Sequence, residues 1–206
     1  MILETLVLGS MEVNCYILAE NEGGRAIIID PGAEERKIRK VLDKYRLAPA
    51  FIINTHGHYD HIGCDDKFAV PVYVHSKDSV FLKDPMLNMS GLFALSYKVK
   101  TEIRILEDRD KLELDGIELR VMHVPGHTPG GIVLVMTKPQ NKIAFTGDSL
   151  FCRGIGRSDL PKGDGAMLEK YIKERLFSLS DDTVIYPGHG PSSTIGEEKR
   201  GNPFMV

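Results

Sequence analysis

The sequence feature that most constrains this chain is a histidine-rich segment at residues 55–63, which reads THGHYDHIG. Three histidines and one carboxylate fall within it: His56, His58, Asp60 and His61. Imidazole and carboxylate groups are good ligands for zinc, iron and manganese. In an extended or turning segment, residues two positions apart point the same way, so His56 and His58 can reach one metal ion together. Asp60 and His61 can then turn towards a second ion nearby.

Three further ligand-type side chains each stand in a turn at the end of a predicted strand. His127 lies in the turn PGHTPG, Asp148 follows the strand that ends in TG, and His189 lies in PGHG. A lone histidine in such a turn is weak evidence, but three such turns beside the histidine-rich segment favour one shared site. Two of the seven histidines, His75 and His123, stand outside these motifs. We interpret both as structural.

Apolar periodicity predicts many strands and few helices. Strands are predicted at 2–8, 13–19, 25–29, 51–53, 71–74, 131–137, 142–146 and 184–186. A hairpin is predicted at 111–124, turning at the Asp115-Gly116 pair, and amphipathic helices at 34–46 and 166–177. This order favours an α+β fold in which two sheets pack together with helices outside. Residues 84–101 are apolar but weakly periodic, and both a lid over the site and core packing stay open for them.

Length and composition predict one ordinary globular domain spanning residues 1–206, because domains commonly run to about 100–200 residues. The net charge of -3 disfavours a dedicated nucleic-acid binder. No apolar stretch approaches the roughly 20 residues of a membrane span, and no secretory signal stands at the N-terminus. The 3 cysteines form no close pair, which suits a reducing compartment. We therefore expect a cytoplasmic protein without membrane or nucleic-acid partners; its oligomeric state is not indicated.

The signature His-x-His-x-Asp-His at 56–61, followed by His127, Asp148 and His189, resembles the metallo-β-lactamase superfamily. The similarity is strongest to its glyoxalase II (hydroxyacylglutathione hydrolase) branch. It covers nearly the whole chain and includes the motifs DPG at 30–32, PGHTPG at 125–130, GDSLF at 147–151 and GRSDL at 156–160. The resemblance implies an αββα sandwich, the metallo-β-lactamase fold, with the site at one edge of the two sheets.

The resemblance also implies a site for two divalent metal ions, with zinc expected first and iron or manganese as fitting alternatives. The implied ligands of the first ion are His56, His58 and His127. Those of the second ion are Asp60, His61 and His189. Asp148 is expected to bridge the two ions, and Asp30 to orient a ligand histidine from outside the ligand set.

The activity implied by this branch is hydrolysis of a small-molecule ester or thioester such as S-lactoylglutathione by a hydroxide shared between the two ions. Asp60 and Asp148 are the expected catalytic carboxylates. Arg153 and Arg157 could present charge to an anionic substrate, although Arg157 and Asp159 could equally pair to hold their loop. Antibiotic-hydrolysing zinc enzymes commonly carry cysteine at the position of Asp148, so β-lactam hydrolysis is not expected.

Other activities of the same fold stay open. Persulfide dioxygenases resemble this chain in many of the same motifs and would hold one iron ion through His56, His127 and Asp148. A lactone hydrolase would use the full dinuclear site. An RNA-processing nuclease is disfavoured by the mildly acidic charge, and a metal-binding protein without activity by the intact ligand set. Two-domain glyoxalase II proteins have a helical C-terminal extension that contacts glutathione, whereas this sequence ends soon after His189. We therefore expect thioester hydrolysis without a fixed glutathione specificity.

Overall fold

The computed structural model of the chain describes residues 1–139 and 142–205. The first sheet contains six strands in sequential order: β1 (Ile2–Leu8), β2 (Val13–Ala19), β3 (Arg25–Ile29), β4 (Ala48–Ile53), β5 (Val72–His75) and β6 (Ile103–Leu106). The remaining strands are β7 (Lys111–Leu114), β8 (Ile117–His123), β9 (Ile132–Lys138), β10 (Ile143–Gly147), β11 (Leu150–Phe151), β12 (Gly154–Ile155), β13 (Val184–Pro187) and β14 (Ser193–Thr194). The second sheet has the order β14-β13-β10-β9-β8-β7, and β11 and β12 form a small ribbon.

The α-helices are α1 (Glu35–Lys44), α2 (Tyr59–Ile62), α3 (Gly165–Glu174) and α4 (Ile195–Gly201). Short 3₁₀ turns lie at Asp65–Lys67, Ser76–Asp78, Phe81–Lys83, Ser90–Phe93 and Leu176–Ser178. Among the described residues, no helix is both long and apolar enough to cross a membrane. The three cysteines are free thiols.

The two faces of β3 show how the layers form. Successive side chains of a strand point to opposite faces, so Ile28 packs with Ile38 of α1 on one face. Ile27 and Ile29 point the other way and pack between the two sheets, with Leu134 of β9. On the outer face of the second sheet, β-strand residues pack against Leu168 and Ile172 of α3. These layers confirm the predicted αββα sandwich.

The sequence pattern located most of the longer elements but missed several short ones, namely β6, β11, β12, β14, α2 and α4. The predicted hairpin is present, since Leu114 pairs with Ile117 across a turn in which Asp115 and Gly116 both have positive φ. A signal for α4 does exist in the sequence, because Thr194 and Glu197 form a capping box at its start. Most of the 84–101 segment is irregular around one 3₁₀ turn.

Strand direction brings the functional loops to one edge. In the first sheet β3, β4 and β5 run parallel, so their C-terminal ends meet at the same edge. In the second sheet β8 and β10 are each antiparallel to β9, and β13 is parallel to β10. The ends of β8, β10 and β13 therefore also lie together. All of the predicted ligand motifs follow one of these strand ends.

Candidate metal centre

The seven side chains predicted as metal ligands converge at this edge. They form three overlapping groups, in each of which the ligand atoms lie within 4.8 Å of one another. The groups are His56, His58 and His127; Asp60, His61 and His189; and His56, His61 and Asp148. The structure thus brings together side chains from four loops that are distant in the sequence.

Asp148 lies between the two halves of the cluster. Its Oδ2 atom is 3.5 Å from Nε2 of His127, and its Oδ1 atom is 3.4 Å from Nε2 of His61. On the His61 side, Nε2 of His189 lies 3.2 Å from Oδ2 of Asp60. On the other side, Nε2 of His127 lies 3.3 Å from Nε2 of His56. The Oδ2 atom of Asp148 also lies 3.7 Å from Nε2 of His189, so the carboxylate is close to histidines of both halves.

The cluster fits metal ions because its buried polar atoms lack other partners. Nε2 of His61 and Oδ1 of Asp148 have no hydrogen-bond partner among the described residues. Nδ1 of His58 and Nε2 of His127 face each other at 3.0 Å. Buried polar atoms are normally satisfied, and unpaired ones cost free energy. Converging nitrogen and carboxylate atoms of this kind are a donor set that a divalent cation satisfies.

Two histidines are oriented by partners outside the cluster. Nδ1 of His127 lies 2.7 Å from the backbone carbonyl oxygen of Arg157. Because a carbonyl oxygen only accepts, Nδ1 carries the proton and Nε2 is left with a lone pair directed into the cluster. Nδ1 of His61 lies 3.0 Å from Oδ2 of Asp30, an electrostatic contact that lacks hydrogen-bond geometry. Partners of this kind fix the orientation of ligand histidines in metal sites.

Asp30 also anchors the start of the histidine-rich segment. Its carboxylate accepts hydrogen bonds from the backbone N–H and from the hydroxyl of Thr55, each at 2.7 Å. Two residues after Asp30, the backbone of Gly32 lies against the histidine-rich segment. A Cβ atom on Gly32 would be 1.4 Å from the carbonyl oxygen of Asp60. The DPG motif therefore supplies both the carboxylate and the space that the segment requires.

Asp78 is a buried carboxylate that the sequence reasoning missed. It follows β5, and it accepts hydrogen bonds from the backbone N–H of Gly57 at 3.0 Å and of Gly130 at 2.6 Å. A third hydrogen bond comes from the hydroxyl of Thr128 at 2.7 Å. Asp78 thus joins the 55–63 segment to the loop that carries His127. No ligand motif surrounds it in the sequence, and only the folded chain brings its partners together.

The histidines of the cluster fall into two groups: His56 and His58 are favoured as neutral imidazoles, whereas for His61 and His189 the nearby carboxylates outweigh burial and raise the pKa. Burial, together with neighbouring imidazoles, lowers the pKa of His56 well below its ordinary value. Burial likewise lowers the pKa of His58 to about 3. Burial opposes the ionisation of Asp148, but the imidazoles of His61, His127 and His189 together outweigh it and hold the pKa of that carboxyl below its usual range. Burial likewise opposes the ionisation of Asp60, and His61 and His189 together lower its pKa.

The two arginines proposed for substrate binding have different positions. Arg157 borders a cavity beside the cluster, and its guanidinium donates to Asp159 at 2.8 and 2.7 Å. The backbone N–H of Arg153 donates to Glu198, and the Arg153 guanidinium lies against Gly201. Arg153 is not part of the cavity wall. The structure therefore brings Arg157, and not Arg153, to the site.

His75 and His123 lie outside the three ligand groups. Their rings stack on each other with centroids 4.1 Å apart and an interplanar angle of 7°. Nε2 of His123 donates to the carbonyl oxygen of Pro129 at 2.8 Å. The ring of His123 therefore supports the Pro/Gly turn around His127 from outside.

A cavity of about 560 Å³ borders the cluster. The cluster side of its wall is formed by His58, Asp60, His127, Asp148 and His189. Ligand sites in proteins are commonly concave spaces of roughly this volume, apolar over most of their surface with a few polar groups at fixed positions. A substrate in this cavity would contact the cluster directly.

The fold and this cluster define a metallo-hydrolase-like protein, and the family comparison agrees. Residues 8–189 match the family model described as the metallo-beta-lactamase superfamily. The chain belongs to this superfamily. An uncharacterized protein of Mycobacterium tuberculosis is 43% identical to it, over 96% of this chain and 94% of the relative. The hydroxyacylglutathione hydrolase GloC of Haemophilus influenzae is 35% identical, over 98% of this chain and 97% of the relative.

Solved structures of the same fold cover almost the entire chain. The BLEG-1 B3 metallo-beta-lactamase is 34% identical, with a TM-score of 0.92 and all of both chains covered. TTHA1623 in a di-iron-bound form is also 34% identical, with a TM-score of 0.82 over 98% of this chain and 99% of its own. ETHE1 from Myxococcus xanthus is 25% identical, with a TM-score of 0.80 over 98% of this chain and 84% of its own. Membership of this superfamily supports an enzyme of the hydrolase kind.

Proposed function

We propose that this protein is a metal-dependent thioester hydrolase that binds two divalent ions. The observation that carries the proposal is the position of Asp148, whose carboxylate lies close to histidines of both halves of a seven-residue cluster. The similarity to a hydroxyacylglutathione hydrolase over nearly the full length supports thioesters as the substrate class. S-lactoylglutathione is accordingly the first substrate to assay.

The proposed ligand assignment follows the two halves of the cluster. One ion would be held by His56, His58 and His127, and the other by Asp60, His61 and His189, with Asp148 shared. Zinc is the metal we expect first, and the di-iron form of TTHA1623 makes iron the first alternative. When bound, such ions activate water at neutral pH and stabilise negative charge on a carbonyl oxygen.

The residues around the cluster fix its orientation during turnover. Asp30 holds the ring of His61, and the carbonyl oxygen of Arg157 holds the ring of His127. Rings held in this way keep their lone pairs aimed at one point, so no reorganisation is needed when the substrate arrives.

The acid–base character of the cavity favours a thiolate leaving group. Among the described residues, the carboxyl groups on the cavity wall are Asp60 and Asp148. The pKa of each lies below its ordinary value, since the neighbouring imidazoles together outweigh the effect of burial. Neither carboxyl is therefore a proton donor at neutral pH. A thiolate needs little protonation to leave, whereas an alkoxide needs a proton, so this wall suits a thioester better than a simple ester.

Metal content and thioesterase activity together test the proposal. The protein is purified without added metal and without air, and its metal content per chain is measured by elemental analysis. We expect two ions per chain and release of thiol from S-lactoylglutathione, both abolished by a strong chelator and restored by zinc. A fully metallated protein that releases no thiol from S-lactoylglutathione or from any simple acyl thioester would refute the thioesterase assignment.

A mononuclear-iron persulfide dioxygenase is the second candidate, favoured by the structural similarity to ETHE1. The three side chains it would need are close together here, since Nε2 of His127 lies 3.3 Å from Nε2 of His56 and 3.5 Å from Oδ2 of Asp148. One iron ion per chain together with rapid oxygen uptake on glutathione persulfide would establish this activity in place of hydrolysis.

Cyclic substrates are the third candidate. The structural similarity to BLEG-1 makes a β-lactam a specific alternative, and a lactone would use the same dinuclear site. We expect neither ring to be opened as fast as a thioester. Parallel assays with a chromogenic cephalosporin and an acyl-lactone, on the same metallated sample, decide between the three substrate classes.

A further inference from the structure

The cavity wall facing away from the metal cluster is almost entirely apolar. It is formed by Met11, Tyr59, Met89, Leu92, Phe93, Phe151, Ile155 and Leu160. These side chains come from four separate parts of the chain and meet around this space. A substrate that reaches the cluster therefore lies against apolar side chains over most of its length.

Two of these apolar side chains are exposed at the surface, although burying them would stabilise the fold. Leu92 and Phe93 are 65% and 56% exposed. Large apolar groups in water cost free energy, and contiguous exposed ones commonly mark a binding site. Both residues lie on the 3₁₀ turn Ser90–Phe93, directly over the cavity.

This turn is held in place by buried hydrogen bonds. The side chain of Asn88 is fully buried and donates to the carbonyl oxygens of Phe81 and Tyr97, each at 3.0 Å. Its Oδ1 atom accepts the backbone N–H of Ser90 at 3.0 Å. The exposure of Leu92 and Phe93 is therefore built into the fold by a specific anchor.

The cavity lacks a free positive charge for an anionic substrate group. Within residues 1–139 and 142–205, Arg157 is the one arginine or lysine on the wall. Its guanidinium is already paired with both carboxylate oxygens of Asp159. A substrate portion carrying carboxylates would find no unpaired cation here, whereas an apolar portion would displace water from apolar side chains.

We propose that this apolar wall binds the acyl chain of the substrate, and that the preferred substrates are thioesters with a medium-length apolar acyl group. The inference rests on the proposed thioesterase function and adds the substrate class. The thiols that form biological thioesters are polar and charged, so the apolar portion of such a molecule is its acyl chain. The thiol portion then extends towards solvent, away from Leu92 and Phe93.

A series of thioesters with one neutral thiol tests this directly. The metal-loaded protein is assayed with acetyl, butyryl, hexanoyl and octanoyl thioesters of N-acetylcysteamine. Burial of one methylene group corresponds to about a fourfold gain, so we expect kcat/KM to rise by about two- to fourfold per methylene until the cavity is filled. A second series varies the alkyl length of the thiol at constant acetyl group, and here we expect a flat response.

A matched pair of variants locates the effect. Phe93→Ser removes an aromatic ring from the wall, whereas Phe204→Ser removes a ring that is 55% exposed and lies outside the wall. We expect the first change to reduce the rise of kcat/KM with acyl length by at least half. The second change, outside the wall, should leave both this rise and the turnover of the acetyl thioester unchanged.

A binding measurement separates this inference from the proposed function. Calorimetric titration with S-hexyl and S-octyl thioethers of N-acetylcysteamine needs no turnover, and we expect tighter binding of the longer chain with a negative heat-capacity change. Absence of all thioester cleavage with preserved thioether binding would refute the function but retain the apolar site. Cleavage with a flat acyl series would refute the acyl site alone. If Phe93→Ser instead alters the association state and leaves the acyl slope intact, the surface is a contact between copies of this chain, which also overturns the inference.

Discussion

The Oδ2 atom of Asp78 lies 3.0 Å from the backbone nitrogen of Gly57, the residue between the two histidines of the first ligand motif. The other oxygen of the same carboxylate accepts the N–H of Gly130, three residues after His127. Burial raises the pKa of Asp78, while its hydrogen-bond donors act in the opposite direction. One carboxylate therefore sets the distance between two loops that together supply four of the proposed ligand histidines.

Replacing Asp78 by asparagine should weaken metal binding without removing any ligand. Asparagine has a single acceptor oxygen, so its NH₂ group would face at least one of the backbone donors that Asp78 now satisfies. Changes in the groups that orient metal ligands typically cost about 10- to 100-fold in metal affinity, and we expect a loss of that size. Competition with a chromogenic chelator measures it.

The control for Asp78→Asn is Glu198→Gln. Glu198 is also a fully buried carboxylate, and it accepts hydrogen bonds from Arg153, Ser193 and Asn202, away from the cluster. Both variants should lose some thermal stability, but only Asp78→Asn should lose metal affinity. Equal metal affinities in the two variants would show that Asp78 contributes to folding alone.

Asp148→Ala should lose both ions and with them the activity. The carboxylate is the one group with an oxygen near each half of the cluster, within the part of the chain that the structure describes. Its removal also leaves His61 without the nearest negative charge on that side. Elemental analysis gives the metal content, and Asp182→Ala, an exposed carboxylate paired with Lys142, is the control. Retention of two ions per chain by Asp148→Ala would contradict the bridging assignment.

His75→Ala and His123→Gln should keep the metal content of the unmodified protein. Neither ring belongs to a ligand group, and His123 instead donates to the carbonyl oxygen of Pro129. We expect His123→Gln to retain that hydrogen bond through its amide and to change metal affinity by less than about tenfold. Loss of one metal equivalent in either variant would mean that the ligand set is wrong.

The sequence predicts the ligand cluster well because its motifs are local. His56, His58 and His61 lie within six residues of one another in the sequence. Each further ligand follows a strand that the spacing of apolar residues can locate. The part that sequence reasoning missed is non-local. Asp78 becomes visible only when the loops after β4 and β8 bring three donors to it. Arg153 has a positive φ, and its backbone N–H donates to Glu198. Neither fact leaves a pattern at short sequence separation.

The irregular segment at 84–101 is a second case in which contacts between distant residues leave no pattern in the sequence. Its apolar residues lack a period because they face different surroundings. Met89, Leu92 and Phe93 line the cavity, Met86 and Leu95 are exposed outside its wall, and Val99 packs into the core, so neither helix nor strand spacing arises. Asn88, which anchors the turn through three hydrogen bonds, is polar and gives no signal for a buried position. Its burial depends on carbonyl groups of residues up to nine positions away.

Gly32→Ala should destabilise the fold strongly. A Cβ atom at this position would lie 1.4 Å from the carbonyl oxygen of Asp60, so the backbone that carries Asp60 must move. We expect a loss of more than about 3 kcal/mol in the free energy of unfolding, in the range seen for severe steric substitutions. Gly154→Ala is the control, since its Cβ would meet Phe151 at an ordinary 3.7 Å. Thermal unfolding of both variants measures the difference, and similar melting temperatures would refute the close approach.

The carboxylate of Glu118 should contribute to the pH dependence of the stability of the fold in acid. Hydrogen bonds from Thr137 and from Lys111 lower the pKa of this carboxyl to about 2. Since the folded pKa lies below the unfolded value, the ionised carboxylate contributes stability that is fully present above about pH 4.3 and is lost as the pH falls towards 2. In Glu118→Gln this contribution is absent at every pH. Urea unfolding of the metal-free protein between pH 2 and 6 measures the free energy of unfolding at each pH. As the pH falls, this free energy should decline less in Glu118→Gln than in the unmodified chain. Glu12→Gln, at an exposed position, is the control and should follow the unmodified chain. Parallel declines in all three proteins would rule out a contribution of Glu118 to acid stability.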